Sequence, residues 1–347
     1  MNRVLVGVDV CRDFLDAHAR PSGLPKRFDN TPAGIEQLVA WLRSLAPERI
    51  IFESTGPYQK AAVGALLAAD LPAVVVNARQ VRDFAKGTGQ LAKTDAIDAS
   101  VLAHFGEVVA TVVRPLPSQE ILEFRELCDR RGQLVRMLAS EKNHRHAAQG
   151  ASPKVIKNID KHIAFLQRQI DDLEERMDRI VADSETFKAK DEILQSIVGI
   201  GRQVSRVLLV HLPELGKGTR RSIAALVGLA PFADDSGASS RIRHIRGGRA
   251  KVRMALYQAA VAAVRYCPTM KSFYASLKAR GKATRVALIA VARKLLVLAN
   301  ALLRTGIPYQ RPTTACAALF HCRDLTIPWP PRLARTLPTS PRPRERA

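Results

Sequence analysis

The chain has 347 residues, enough for two or three domains with separate apolar cores, so a single small module is excluded. Its 54 Lys and Arg residues against 32 Asp and Glu residues give a formal net charge of +22. That charge favours a polyanionic partner, nucleic acid first and an anionic membrane surface second. The five cysteines are scattered with no C-x-x-C pair, which argues against a disulfide framework or a zinc site.

No membrane association is expected. The N-terminal run reaches Asp9 before a signal-peptide core could form, and the apolar stretch 284–303 is interrupted by Arg293 and Lys294. A reducing cytoplasm fits the scattered cysteines best. We therefore expect a cytoplasmic protein.

Residues 1–110 are predicted to form an α/β domain. Apolar runs over 3–10, 49–55 and 72–78 predict buried strands, and segments near 13–20 and 26–28 could pair beside the first of them. Thr31-Pro32 predicts the start of a helix that runs to about Leu45. Because strands and helices alternate, we expect a central sheet with helices on its faces.

Four acidic residues in this domain predict a metal site. Asp9 and Glu53 close the first two strong apolar runs, at the strand ends where open α/β sheets place their ligands. Asp95 and Asp98 stand three apart on a predicted helix, so they share one face. Carboxylate oxygens suit Mg²⁺, which indicates phosphodiester chemistry. Helix capping and solvated turns are the alternative for such acids.

Residues 116–187 are predicted to be a helical, coiled-coil-like connector, interrupted near Ser152-Pro153. Its apolar residues step by three and four, which is a heptad seam. The seam residues are Ile163, Leu166, Ile170, Leu173, Met177 and Ile180. Three arrangements fit this pattern: a helical hairpin, an arm that pairs with another subunit, or a long helix lying on its own domain.

Residues 191–307 are predicted to be mainly helical. Gly199-Ile200-Gly201 between two apolar helical stretches has the form of a helix-hairpin-helix, whose glycine turn could bind a phosphate through backbone N–H groups. An ordinary structural turn fits the same pattern. Beyond Pro308, the stretch 308–347 is rich in Pro and Arg and is expected to be a disordered basic tail.

One loop, at 233–240, carries Ser236, Ser239 and Ser240 and is followed by a run of cations without an acid. These cations are Arg241, Arg243, Arg246, Arg249, Lys251 and Arg253. A serine hydroxyl beside guanidinium groups could attack a phosphate and stabilise the developing charge. On residue types alone, a surface loop followed by a basic helix that contacts backbone phosphates is the stronger interpretation.

Several of these segments together resemble one known family. GVDV with Asp9, FESTGPY with Glu53, AKTDAIDASVLA with Asp95 and Asp98, the GIG turn, and GLAPFADDSG followed by RGGR-x-x-x-R-x-A-L-Y occur in the order seen in the IS-one-ten family of insertion-sequence transposases. The pilin-gene inversion recombinases belong to the same group. The resemblance covers about residues 3–307 and does not extend to the tail.

The resemblance implies an RNase H-like, RuvC-like N-terminal domain whose DEDD acids, Asp9, Glu53, Asp95 and Asp98, bind Mg²⁺. It implies a C-terminal domain whose nucleophile the motif places at Ser236. Members of the family recombine donor and target DNA, and several use a bridge RNA transcribed from the element ends. Strand exchange is thought to pass through a phosphoserine linkage in a synaptic tetramer built from dimers.

Two other functions remain as alternatives at this point. A metal-only nuclease that resolves DNA junctions would use the four acids for hydrolysis and the serine loop for binding. A non-catalytic nucleic-acid-binding protein would keep the acids as structural groups. A covalent protein–DNA adduct separates the first alternative from the recombinase, because hydrolysis leaves none.

Overall fold

The computed structural model describes residues 3–54, 56, 58–90, 94–109, 111–113, 118–232, 235–236, 239–240 and 244–310. Within helix 95–108 and the short strands near 235–240, it describes the backbone at 95–96, 235–236 and 239–240 without their side chains. The chain divides into two compact units, Met1–Gln119 and Glu120–Ala347. The tail predicted to be disordered lies outside the described residues from position 311 onward.

The first unit is built on one five-stranded mixed sheet, which confirms the predicted α/β organisation. Its strands are β1 (Leu5–Val10), β2 (Phe14–Arg20), β3 (Leu24–Asp29), β4 (Arg49–Glu53) and β5 (Ala73–Val76). The spatial order is β3-β2-β1-β4-β5. Strands β1, β4 and β5 run parallel, while β2 and β3 form an antiparallel meander against β1.

Four helices cover both faces of this sheet: α1 (Pro32–Leu45), α2 (Gln59–Ala68), α3 (Ala78–Gly87) and α4 (Asp95–Val108). The predicted start of α1 is confirmed, because the Thr31 hydroxyl accepts a hydrogen bond from the backbone N–H of Gly34 at 3.2 Å. Helices α1 and α2 pack on the face that carries Val8 and Phe52. Helices α3 and α4 pack on the face that carries Ile51.

The second unit begins with two long helices, α5 (Gln119–Ala147) and α6 (Pro153–Asp183). The heptad seam of α6 packs on α5 of the same chain, with Leu166 and Ile170 against Leu134 and Leu138. Near the start of α5 and the end of α6, Phe124 packs with Met177. Of the three predicted arrangements, the structure shows the helical hairpin. An exposed break at Gly150 to Ser152 lets the chain reverse between the two helices.

The rest of the second unit is mainly helical, as predicted. Its helices are α7 (Glu185–Gln195), α8 (Arg202–His211), α9 (Arg220–Val227), α10 (Ala250–Tyr266), α11 (Pro268–Ala279) and α12 (Thr284–Thr305). Residues of α7 to α10 and α12 share one apolar core. Among the described residues, α12 is the one helix long and apolar enough to cross a membrane. Eight of its residues are buried inside the unit, as in the core helix of a globular domain.

Four short strands interrupt this helical unit where the sequence predicts a flexible loop. They are β6 (Pro231–Phe232), β7 (Asp235–Ser236), β8 (Ser239–Ser240) and β9 (His244–Ile245). Strand β6 pairs with β9 and β7 pairs with β8, both antiparallel. The segment 231–245, which carries both strand pairs, is called the serine ribbon below.

Candidate active site

Asp9 and Glu53 end neighbouring parallel strands. The pairing of β1 with β4 places Val8 beside Phe52, and the two acids follow directly, both half-buried. Adjacent strands lie about 4.8 Å apart, and alternate residues share a face. Asp9 and Glu53 therefore lie on the same face as Gly7 and Ile51, the face covered by α4.

Helix α4 crosses this face so closely that Gly7 has no room for a side chain. A Cβ there would meet the Ala99 carbonyl oxygen at 2.1 Å and the Ala103 nitrogen at 2.4 Å. At the far end of α4, Glu107 pairs with Arg20 at 2.9 Å, and Arg20 is the strand partner of Leu5. Helix α4 therefore runs antiparallel to β1.

This direction carries the first turn of α4 toward the acidic strand ends. Two residues of strand from Gly7 to Asp9 cover about 6.6 Å, which four residues of helix also span. The turn begins at Thr94, whose hydroxyl accepts a hydrogen bond from the N–H of Ile97 at 3.3 Å. From this spacing we expect the turn, with the half-buried Asp98, to lie near Asp9. The Asp95 side chain lies outside the described residues.

The carboxylate oxygens of Asp9, Glu53 and Asp98 are ligands of the kind that a hard divalent cation prefers. Within the described part of the chain, no group of three or more His, Cys, Asp or Glu side chains is arranged to hold a metal ion. Asp9, Glu53 and Asp98 each engage in polar contacts of their own. The structure places Asp9 and Glu53 at one edge of one sheet face, and a metal site formed by the four acids stays a prediction.

The Gly199-Ile200-Gly201 turn joins α7 to α8, as the sequence predicts. Gly199 has φ of 99°, and a Cβ there would meet the Ala259 carbonyl oxygen at 2.6 Å. This glycine therefore permits close packing of the turn on α10. Gly201 is exposed, with no atom within 4 Å of an added Cβ, and it starts α8. Phosphate binding by this turn stays a prediction.

The short strands around the candidate serine pair with each other. Ser236 is the strand partner of Ser239, and Asp235 is the partner of Ser240. The periodicity of the sequence did not reveal this pairing. Positions 233, 234, 237 and 238 of the predicted loop lie outside the described residues.

The cations that follow the ribbon have different surroundings. Arg241 and Arg243 lie outside the described residues. Arg246 is exposed, and its guanidinium lies 5.0 Å from the ring centroid of Phe232 at the base of the ribbon. The ammonium of Lys251 is 2.5 Å from an oxygen of Asp129.

Arg249 and Arg253 make hydrogen bonds inside the second unit, and their contact with nucleic acid stays a prediction. The Arg249 guanidinium donates to both oxygens of Glu214, at 2.5 and 2.7 Å, and to the carbonyl of His211 at 3.0 Å. Arg253 donates to the carbonyls of Val227, at 3.1 Å, and Gly247, at 2.5 Å.

Two titratable groups that the sequence did not single out lie at the junction of α5, α6 and α8. Burial lowers the pKa of His211 below its ordinary value of 6.5, although the Asp129 carboxylate 3.1 Å from its Nε2 opposes that shift. Burial raises the pKa of Cys128 to about 12, so this thiol is no nucleophile at neutral pH. Nothing in the local sequence marks either group, because the contacts come from distant helices.

Comparison with known families agrees with the order of these elements. A DEDD-type IS110 transposase profile matches residues 6–148, and the profile described as "Transposase IS116/IS110/IS902 family" matches residues 191–275. The chain belongs to the IS110 family of transposases. It is the IS-one-ten family that the sequence motifs indicate, and its members are enzymes that act on DNA.

Individual relatives extend the likeness over most of the chain. A pilin gene-inverting protein of Moraxella bovis is 25% identical over 325 residues, which span 90% of this chain and 99% of that protein. Its counterpart from Moraxella lacunata is equally similar. An uncharacterized protein of insertion element IS110 from Streptomyces coelicolor is 33% identical over 123 residues, which span 34% of this chain and 30% of that protein. As a DEDD-type IS110 transposase, the chain is expected to depend on a divalent metal.

Proposed function

We propose that this IS110-family transposase cuts and rejoins DNA through a covalent bond to Ser236, assisted by Mg²⁺ at an acidic site on an RNase H-like, RuvC-like domain. Asp9, Glu53, Asp95 and Asp98 would hold the ion. Two features, each within its own unit, support the proposal: acids that end adjacent strands on the face covered by α4, and a serine in a short antiparallel strand pair.

The proposed chemical step conserves the phosphodiester bond energy. The Ser236 hydroxyl loses its proton as its Oγ forms a bond to a DNA phosphorus. The bond from that phosphorus to one deoxyribose oxygen breaks, and this oxygen takes up one proton and leaves as a hydroxyl, so no proton is gained or lost overall. Attack by the hydroxyl of a second strand on the phosphoserine reverses the process and frees Ser236. When bound, Mg²⁺ supplies Lewis-acid polarisation of the scissile phosphate. The acids supply its oxygen ligands.

The test is a search for the adduct. The full-length protein, with the RNA that co-purifies with it, is incubated with Mg²⁺ and an end-labelled fragment of the element and its flanks. Denaturing electrophoresis should show a labelled protein–DNA band. Ser236→Ala should abolish the band and recombination, while Ser240→Ala, on the facing strand, should keep both. Cleavage by Ser236→Ala without any band would favour the metal-only nuclease instead.

The relatives and the charge suggest the substrates. Because two relatives are named as pilin gene-inverting proteins, inversion as well as excision and insertion is proposed for this chain.

Guidance by a bridge RNA that pairs with donor and target DNA suits a strongly basic protein, because sequence choice passes to base pairing. Sequencing of co-purified RNA should return a transcript of the element ends. Only random cellular RNA would argue against guidance.

Assembly is proposed to bring the acids of one chain to the serine of another, in dimers that form a synaptic tetramer. A mixing experiment tests this directly. Asp9→Asn and Ser236→Ala proteins, each inactive alone, should regain part of the activity when combined, since some sites would then hold intact acids and an intact serine. Failure of the mixture, with each variant still binding DNA, would place both groups in one chain.

A further inference from the structure

The two ends of the serine ribbon touch each other. The chain enters from α9 through Gly228 and leaves through Gly247 and Gly248, and all three have positive φ, between 67° and 74°. A Cβ on Gly248 would lie 2.3 Å from the nitrogen of Gly228, and a Cβ on Gly228 would lie 2.3 Å from the carbonyl oxygen of Gly247. The entrance and exit are therefore in backbone contact.

One side chain bridges this contact. The Nη1 atom of Arg253, in the first turns of α10, donates to the Val227 carbonyl on the entrance side and to the Gly247 carbonyl on the exit side. The backbone N–H of Arg249 adds a bond across the same junction, to the Leu226 carbonyl at 2.9 Å. Arg253 is half-buried, and both of these acceptors are backbone carbonyls.

We propose that Arg253 is a positioning residue that fixes the base of the serine ribbon and thereby aims Ser236 at the scissile phosphate. This inference rests on the proposed function, in which Ser236 is the nucleophile. It gives Arg253 a task different from the phosphate contact that its place in a basic helix suggests.

The physical reason is alignment of the reacting atoms. Ser236 lies eight positions after Gly228 and eleven before Gly247, so both ends of the segment that carries it are held at this junction. A misplacement of about 1 Å costs about 100-fold in a reaction that needs aligned atoms. A junction tied at three points, two through Arg253 and one through Arg249, limits movement of that segment as a whole.

The experiment separates the effect of Arg253 on the ends of the serine ribbon, called the clamp, from its effect on the reaction. Arg253→Ala, Arg253→Lys and the parent protein are compared by hydrogen exchange of the peptide that spans 224–250, with the α12 peptide 284–305 as the internal reference. DNA binding and adduct formation are measured on the same preparations. Arg265→Ala is the matched control, because Arg265 is exposed in the last turn of the same helix and stacks on the exposed Tyr266.

We expect exchange in 224–250 to rise at least tenfold in Arg253→Ala with the α12 peptide unchanged. The adduct yield per bound DNA should fall at least tenfold, and the DNA dissociation constant should stay within threefold of the parent. Arg253→Lys can reach one acceptor at a time, so its exchange in 224–250 and its adduct yield should lie between those of the parent and Arg253→Ala. Arg265→Ala should match the parent in both.

Gly248→Ala provides a second route to the same junction should Arg253→Ala fail to fold, since it separates the ribbon ends from the opposite side. Unchanged exchange in 224–250 overturns the clamp. Faster exchange with a normal adduct yield overturns the positioning role. Because exchange is read without any reaction, an absent adduct in the parent protein would count against Ser236 as nucleophile and leave the clamp result intact.

Discussion

Gly7 of β1 and Ala99 of α4 are in direct contact: a Cβ added to Gly7 would stand 2.1 Å from the Ala99 carbonyl oxygen. The obstacle is backbone, which cannot rotate away as a side chain can. The close approach of α4 to β1, and with it the position of Asp98 relative to Asp9, therefore depends on the absence of a side chain at Gly7.

Gly7→Ala is expected to lower the free energy of unfolding by about 1–3 kcal/mol or more, because α4 must shift to admit the methyl group. Metal-dependent DNA cleavage should fall by a larger factor than the decrease in the folded fraction of the protein explains. Urea unfolding and cleavage assays check both. Gly64→Ala in α2 is the matched control, since an added Cβ there meets nothing within 4 Å. That variant should be stabilised by about 0.5–1 kcal/mol.

The hairpin seam should respond as an intramolecular core. Leu166→Ala removes a side chain that is 2% exposed and packed against α5, so we expect a loss of about 2–5 kcal/mol. The neighbouring Phe165 is 51% exposed, and Phe165→Ala should cost less than about 0.5 kcal/mol. Thermal unfolding at two protein concentrations measures both. A loss in Leu166→Ala that depends on concentration would instead mean that the seam joins subunits.

Arg206 is a buried cation, 1% exposed, that donates to Asp178. Its Nε and Nη1 atoms have no hydrogen-bond partner among the described residues. Asp178→Asn should therefore destabilise the second unit by about 1–2 kcal/mol, less than a fully buried pair would, because Asp178 is 44% exposed.

Arg202 supplies the control for this pair, since it contacts the same carboxylate from the surface, at 3.1 Å and with its side chain 57% exposed. Arg202→Ala should cost less than about 1 kcal/mol. Denaturant unfolding of Asp178→Asn and Arg202→Ala measures the loss of stability in each. Equal losses would show that burial of Arg206 does not set the energy of the pair.

His211 should make stability sensitive to acid. Its pKa is lowered in the folded protein, so below pH 6.5 the unfolded chain binds a proton that the folded protein resists. Stability from this group is complete above pH 6.5 and declines as the pH falls toward the lowered pKa. His211→Gln, which keeps an N–H at the position facing Asp129, should flatten that decline in urea titrations between pH 5 and 8. His18, whose pKa burial also lowers, leaves a residual slope in both proteins.

Much of the first unit follows from local sequence. The apolar runs that end at Asp9 and Glu53 predict buried strands, and the Thr31-Pro32 pair predicts the start of α1, because these signals depend on neighbouring residues alone. The same is true of the break between α5 and α6. Placing Asp9 beside Glu53 then needs only the rule that parallel strands end at a common edge.

The surroundings of the arginines could not be predicted in this way. Arg249 and Arg253 sit in a run of cations, and their partners, Glu214 and the carbonyls of Val227 and Gly247, are brought to them by tertiary packing. The hairpin arrangement of the seam is a similar case, because a heptad repeat specifies an apolar stripe and leaves its partner open. The sequence feature that accompanies this junction is glycine at 228, 247 and 248, each with a positive φ that glycine adopts without strain.

The touching ends of the serine ribbon also make it an insertable module. A segment that leaves and re-enters the helical scaffold at nearly one point imposes no spacing between α9 and α10, so its length and sequence can vary while the helices stay in place. A ribbon transplanted between homologues at Gly228 and Gly248 should therefore carry its own reach and tip chemistry into a scaffold that still folds.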